Sequence, residues 1–257
     1  MKKNTQTRLF ALGLTTFAGL MLGATTFAEE PTEPIKPPTI ADPQKQDAEI
    51  SFTQNTDQPN KPTDPNNGNE IEDGTGMVGP LTIDYISKIK FDSQKISGNT
   101  EKYYAKLDSV RYVGKPELVE KANFIQVTDN RGSNAGWKLQ VRQDKQFENV
   151  SEDGKVVTKL TGAVLGFSNT TLKSASLSTK APSAPSAITF DGDAATPANH
   201  DAVTAAESTG MGTWFYSLGS SEEEGKRSIS LSVPGDLAKV AGAYKTRLTW
   251  TLVDSPA

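Results

Sequence analysis

The chain has 257 residues, no cysteine and a single histidine, with 27 Lys and Arg against 31 Asp and Glu for a formal charge of −4. This inventory excludes a cysteine nucleophile, a disulfide framework and a thiolate or multi-histidine zinc site, so no metal or other cofactor is expected. The acidic balance argues against nucleic acid as a partner, and a chain of this size without staples must rely on a buried core.

Residues 1–28 carry Lys2, Lys3 and Arg8, then an apolar run from Leu9 to Leu22, then small residues ending at Thr26-Phe27-Ala28. That order is the pattern of a secretory signal peptide. Its apolar stretch is short for a membrane span, and no longer one follows, so membrane insertion is not expected. Cleavage after Ala28 would remove three of the 27 basic and none of the 31 acidic residues, taking the charge from −4 to −7. Residues 29–80 hold nine of the 15 prolines and few large apolar side chains. Such a composition predicts a disordered, extended linker.

From Leu81 the texture changes to short apolar alternations separated by Gly, Asn, Asp, Ser and Pro, which predicts an all-β domain over 81–257. Strands are expected at Leu81 to Tyr85, Tyr103 to Val110, Phe124 to Thr128, Trp137 to Val141, Val156 to Phe167, Ile188 to Phe190, Thr213 to Leu218, Ile229 to Val233 and Tyr244 to Val253. Glu152-Asp153-Gly154-Lys155 reads as a hairpin turn. Single helical turns are expected at Pro116 to Ala122 and Asp236 to Val240, and surface loops at 183–187 and 191–208. Nine or so short strands argue for a β-sandwich, with a closed β-barrel as the alternative.

The last strand places Tyr244, Thr246, Leu248, Trp250 and Leu252 on one face and Lys245, Arg247, Thr249 and Thr251 on the other. The strand at 137 repeats the design, with Trp137, Leu139 and Val141 opposite Lys138, Gln140 and Arg142. Each contains Trp-x-Leu. With them come Leu81-Thr82-Ile83-Asp84-Tyr85, Gln94-Lys95-Ile96-Ser97-Gly98, Val127-Thr128-Asp129-Asn130-Arg131-Gly132 leading into Gly136-Trp137, Gly212-Thr213-Trp214 and Leu231-Ser232-Val233-Pro234. In that order these segments closely resemble the WxL-domain cell-surface proteins of Gram-positive bacteria.

The resemblance implies a secreted protein held non-covalently on peptidoglycan, with the two motifs, Trp137 and Leu139, Trp250 and Leu252, involved in wall binding. It also implies assembly with larger WxL proteins and a membrane-anchored companion. The chain ends at Asp254-Ser255-Pro256-Ala257 without a sorting motif or apolar tail, which fits non-covalent attachment. The alternative is an assembly subunit or adhesin that binds protein partners on the cell surface, with wall association indirect.

Pattern alone leaves two uses for the motif tryptophans, since a buried indole fills a sandwich and an exposed one stacks on sugar rings. Lys138, Arg142, Lys245 and Arg247 would form a basic patch if their strands pair, either to grip an anionic polymer or to guard a sheet edge. Catalysis is not expected. His200 stands in a loop without a nucleophile-elbow pattern, and Asp191-Gly192-Asp193 and Asp129-Asn130-Arg131-Gly132 read as turns.

Overall fold

The computed structural model describes residues 46–74, 76–150, 156–176 and 180–254. The chain divides into two units, 1–50 and 51–257. Of the first, only residues 46–50 are described, exposed and without regular structure. The signal-peptide region, the first part of the expected linker and the turn at 152–155 lie outside the described residues.

The regular structure of the second unit, among the described residues, is nearly all strand. In chain order these are β1 (Leu81–Ile86), β2 (Glu101–Tyr104), β3 (Asp108–Arg111), β4 (Leu118–Lys121), β5 (Phe124–Asp129), β6 (Trp137–Gln143), β7 (Glu148–Val150) and β8 (Val156–Lys159). They continue as β9 (Val164–Ser168), β10 (Thr170–Ser174), β11 (Ala187–Asp191), β12 (His200–Ala205), β13 (Gly212–Leu218), β14 (Ile229–Val233), β15 (Tyr244–Lys245) and β16 (Leu248–Val253). One helical turn, α1 (Glu222–Gly225), is capped by the Ser221 hydroxyl, which accepts from the Glu224 amide.

All strand pairing is antiparallel. The sheet orders are β1-β5-β13-β10, β11-β9-β14-β2, β12-β6-β16, β15-β7-β8 and the hairpin β3-β4. None closes on itself, so among the described residues there is no barrel. The first three sheets share one core: Ile125, Trp214 and Tyr216 from the first, Leu165, Phe167 and Leu231 from the second, and Trp137, Leu139 and Val141 from the third are all buried in it. That is sheet-on-sheet packing of the expected sandwich kind.

Several element boundaries differ from expectation, each for a local reason. The stretch Tyr103 to Val110 is two strands in different sheets, because the inward face changes phase where Leu107 and Asp108 are buried in succession. Val156 to Phe167 divides at a turn in which the Ala163 amide donates to the Leu160 carbonyl at 2.9 Å and Gly162 adopts φ +77. Pro116 to Ala122 carries β4, which pairs with β3 rather than coiling. The loop expected at 191–208 contains β12, whose Ala202, Val203 and Ala205 are buried; alanine is too small to register as an apolar alternation. The 236–240 segment is bent, not helical. β10 carries no apolar alternation, since Thr170-Thr171-Leu172-Lys173-Ser174 is mostly polar.

The largest correction concerns the linker. Described residues from Pro59 onward are folded: Pro59 bridges Val78, Thr63 bridges Glu70, and Ile71 bridges Tyr112. Strand β5 is buried on both faces, and this segment covers the second face. Ile71 joins a small separate core with Tyr85, Val110, Tyr112, Phe124 and Phe215. The polar rest is held by hydrogen bonds: the Thr63 amide donates to Gln126 Oε1 at 2.7 Å, Gln126 Nε2 donates to the Lys61 carbonyl at 3.0 Å, and Asn60 Nδ2 donates to Thr82 Oγ1 at 2.8 Å. A composition-based expectation of disorder fails here because buried polar groups on β1 and β5 supply what apolar area does not.

Candidate wall-binding face

β6 and β16 are neighbours, so the two Trp-x-Leu motifs share one sheet. Leu252 stands opposite Leu139, Trp250 opposite Val141 and Val253 opposite Lys138. Antiparallel pairing therefore makes the leucines meet and sends the tryptophans in opposite directions, four residue positions or about 13 Å apart along the strands.

Trp137 is fully buried, as are Leu139 and Val141. Its indole Nε1 donates to the Gly210 carbonyl at 2.9 Å, which satisfies its only polar atom. Two glycines make room for it. Gly136 has φ +84, and a Cβ there would lie 2.3 Å from the Ala205 carbonyl oxygen. A Cβ on Gly210, at φ +75, would lie 2.9 Å from the indole nitrogen itself. β6 is the middle strand of its sheet, closed on both edges.

Trp250 is different. β16 is an edge strand of that sheet, and Leu248, Trp250 and Leu252 are only partly buried against the core. The Trp250 ring stacks on Phe167 with centroids 6.4 Å apart and meets Tyr216 edge-on. Its remaining surface lines a cleft of about 1120 Å³ together with Leu248, Tyr244 and Phe147.

One residue ties the two motifs together, and turn chemistry had concealed it. Arg131 is nearly buried; its Nε and Nη2 grip the Asp129 carboxylate at 2.9 and 2.8 Å, and Nη2 also reaches the carbonyl of Gly136, beside Trp137, at 2.7 Å. Nη1 contacts Asp254, just past β16. Hydrogen bonding to Asp129 holds the guanidinium above its ordinary pKa. A basic residue six positions before a Trp-x-Leu was the available signal, but nothing local predicts that its partners come from three segments.

The expected basic patch is assembled only in part. Lys138 pairs with Asp201 of β12 at 3.2 Å, and Gln140 donates to the same carboxylate at 2.7 Å. Arg142 pairs with Asp144 at 2.9 Å, and Thr249 donates to that carboxylate at 2.8 Å. Arg247 lies near Asp144 as well, and its carbonyl accepts the Asp144 amide at 2.9 Å. Hydrogen bonds, from Gln140 foremost at Asp201 and from Thr249 at Asp144, hold both carboxyls below the usual range. Lys245 sits apart on β15, opposite Glu148, because Thr246 and Arg247 break the strand expected to be continuous from Tyr244. The outer face of β6 and β16 is thus polar and charge-compensated.

A family profile described as a WxL domain, surface cell wall-binding, matches residues 41–256. The chain belongs to the WxL family. Like the fold, the match begins well before Leu81. No curated protein and no solved structure matches significantly. The WxL domain is thus a surface, cell wall-binding domain. Among the described residues no cluster of three His, Cys, Asp or Glu side chains is placed to hold a metal, and no helix is long and apolar enough to cross a membrane. His200 begins β12 with its ring edge-on to Phe190, and Asp193 accepts from the Gly162 amide at 2.7 Å and from Gln146 at 2.9 Å.

Proposed function

We propose that this is a secreted surface protein that attaches non-covalently to peptidoglycan through its WxL domain, as a binding rather than a catalytic protein. In this reading residues 1–28 are the export signal and Trp250 is the motif tryptophan that meets the wall. The family match over 41–256 carries the proposal, and the accessibility of Trp250 but not Trp137 directs it to the second motif. Trp137, Leu139 and Leu252 then act by holding the sheet from which Trp250 projects. The compensated cations Lys138 and Arg142 contribute little to anchoring.

Co-sedimentation of the purified protein with protein-free sacculi tests this reading, with folding of each variant followed by circular dichroism. The wild type is expected to pellet, and Trp250→Ala is expected to stay folded and remain in the supernatant. A wild type that does not pellet would sink direct wall binding.

A second reading, an assembly subunit or adhesin whose partner is protein, draws on one observation. β16 is a six-residue edge strand, Leu248-Thr249-Trp250-Thr251-Leu252-Val253, without a charged residue. Uncharged edges of that length pair readily with other chains. Under this reading, larger WxL proteins and a membrane-anchored companion would be the partners, and retention on sacculi would require them.

A further inference from the structure

The cleft beside Trp250 is larger and more apolar than a sugar-stacking platform needs. It opens where the β14-β2 end of one sheet parts from β16 and β15. Leu165, Leu231 and Val233 form its floor and Phe147, Leu248 and Trp250 its side. Its volume of about 1120 Å³ is just above the range of about 300–1,000 Å³ usual for small-molecule sites.

Both rims are built. The Tyr244 hydroxyl bonds both the amide and the carbonyl of Val240 at 3.0 Å, closing the 240–244 loop on itself. The Lys239 ammonium donates to Ser97 on one rim at 3.1 Å and to Pro234 and Leu237 on the other at 2.8 and 3.2 Å. Ile96 and Val240 stand exposed at the mouth, 61% and 47% accessible. Exposed apolar side chains flanking an apolar cleft mark a place where something docks.

Charge at the mouth selects the occupant. Lys90, Lys95 and Lys245 line it, exposed, and none has a carboxylate partner among the described residues. Asp92, the acid at the mouth, is already engaged by Lys106 at 2.6 Å. In a chain with net negative charge, three ammonium groups without a carboxylate partner among the described residues, set around an apolar opening, are a local reversal of sign. Their flexible stems can lie along apolar surface while the heads reach out to meet an anion.

We propose that this cleft binds an anionic amphiphile: an aliphatic chain inserted between the sheets, with its negatively charged head held by Lys90, Lys95 and Lys245.

Titrating the full chain with sodium dodecanoate below its micellar concentration, followed by tryptophan fluorescence and calorimetry, is expected to saturate at one molecule per protein. Dodecyltrimethylammonium, with the same chain and a cationic head, should bind about ten-fold more weakly or worse. The exposed triple variant Lys90→Glu/Lys95→Glu/Lys245→Glu should lose about ten-fold in dodecanoate affinity and prefer the cationic probe. Ala243→Trp, at an exposed lining position, should block the cleft and abolish saturable binding without altering the circular dichroism spectrum. Absence of saturable dodecanoate binding, equal affinity for the two head groups, or undiminished binding to the Ala243→Trp variant would each overturn the proposal. So would saturable binding of an acidic apolar peptide in place of dodecanoate, which would assign the cleft to a polypeptide.

Discussion

The two Trp-x-Leu motifs have the same local sequence pattern and opposite fates. Trp137 lies on the central strand of a three-stranded sheet, with its indole against Gly210 and no accessible surface. Trp250 lies on the edge strand of the same sheet, stacked on Phe167 and open to a cleft. A motif repeated in sequence thus need not be repeated in role. Strand position within the sheet decides whether an indole is filler or surface, and only the edge copy is available to a ligand.

The sharpest way to break this comparison is to truncate both tryptophans. Trp137→Ala removes a fully buried side chain and its hydrogen bond, and should cost about 3–5 kcal/mol, enough to lower the denaturation midpoint severely and to abolish wall retention together with the fold. Arg131→Met comes next. It leaves the Asp129 carboxylate buried without its guanidinium, which typically costs about 3 kcal/mol or more, and it loosens both motifs at once. Denaturant unfolding should show the loss, whereas Asp254→Asn, at the exposed end of the same clasp, should cost no more than about 1 kcal/mol.

Trp250→Ala should be milder than either in stability, about 2 kcal/mol for a half-buried ring, and yet remove retention on sacculi. If it destabilised as much as Trp137→Ala, the two motifs would be equivalent and the comparison would fail.

Smaller effects follow from charge. Asp144, Asp201 and Glu148 all have carboxyl groups held below the usual range, by Thr249, Gln140 and Lys145 respectively before any other cause. Their folded pKa values lie below the unfolded ones, so the stability they add is present above an unfolded carboxylate value of about 4 and is lost as pH falls through the folded values. The Asp144→Asn/Asp201→Asn variant should therefore show a flatter acid limb in a plot of melting temperature against pH. Asp84 runs the other way, since burial raises its carboxyl, and its contribution is lost as pH rises through the raised value. The smallest change is expected from Lys138→Gln/Arg142→Gln. Each cation is a surface partner worth at most about 1 kcal/mol, and retention should fall by no more than about two-fold. A large salt-sensitive loss would restore the basic patch.

Much of the fold was legible in the chain where burial follows a period of two. β6 and β14 stand where alternation placed them, and the inward set Trp137, Leu139 and Val141 is the one that pattern predicts. The failures occur where that signal is absent. β12 buries Ala202 and Ala205, too small to stand out, and β10 is mostly polar. The segment after Pro59 is fastened through Gln126, Thr82 and Ile71 rather than through an apolar face of its own. Arg131 reads as part of a turn because, of its partners Asp129, Gly136 and Asp254, the last lies 123 residues away along the chain.

What the amino-acid sequence determined by itself is the strand class, the inward faces and the two motifs, since these depend on side-chain alternation within a few residues. Which motif stays at the surface was decided by tertiary structure alone. Pairing β6 between β12 and β16 closes one tryptophan off from solvent and leaves the other on an edge, and strand order is a property of contacts between distant segments that no local pattern encodes.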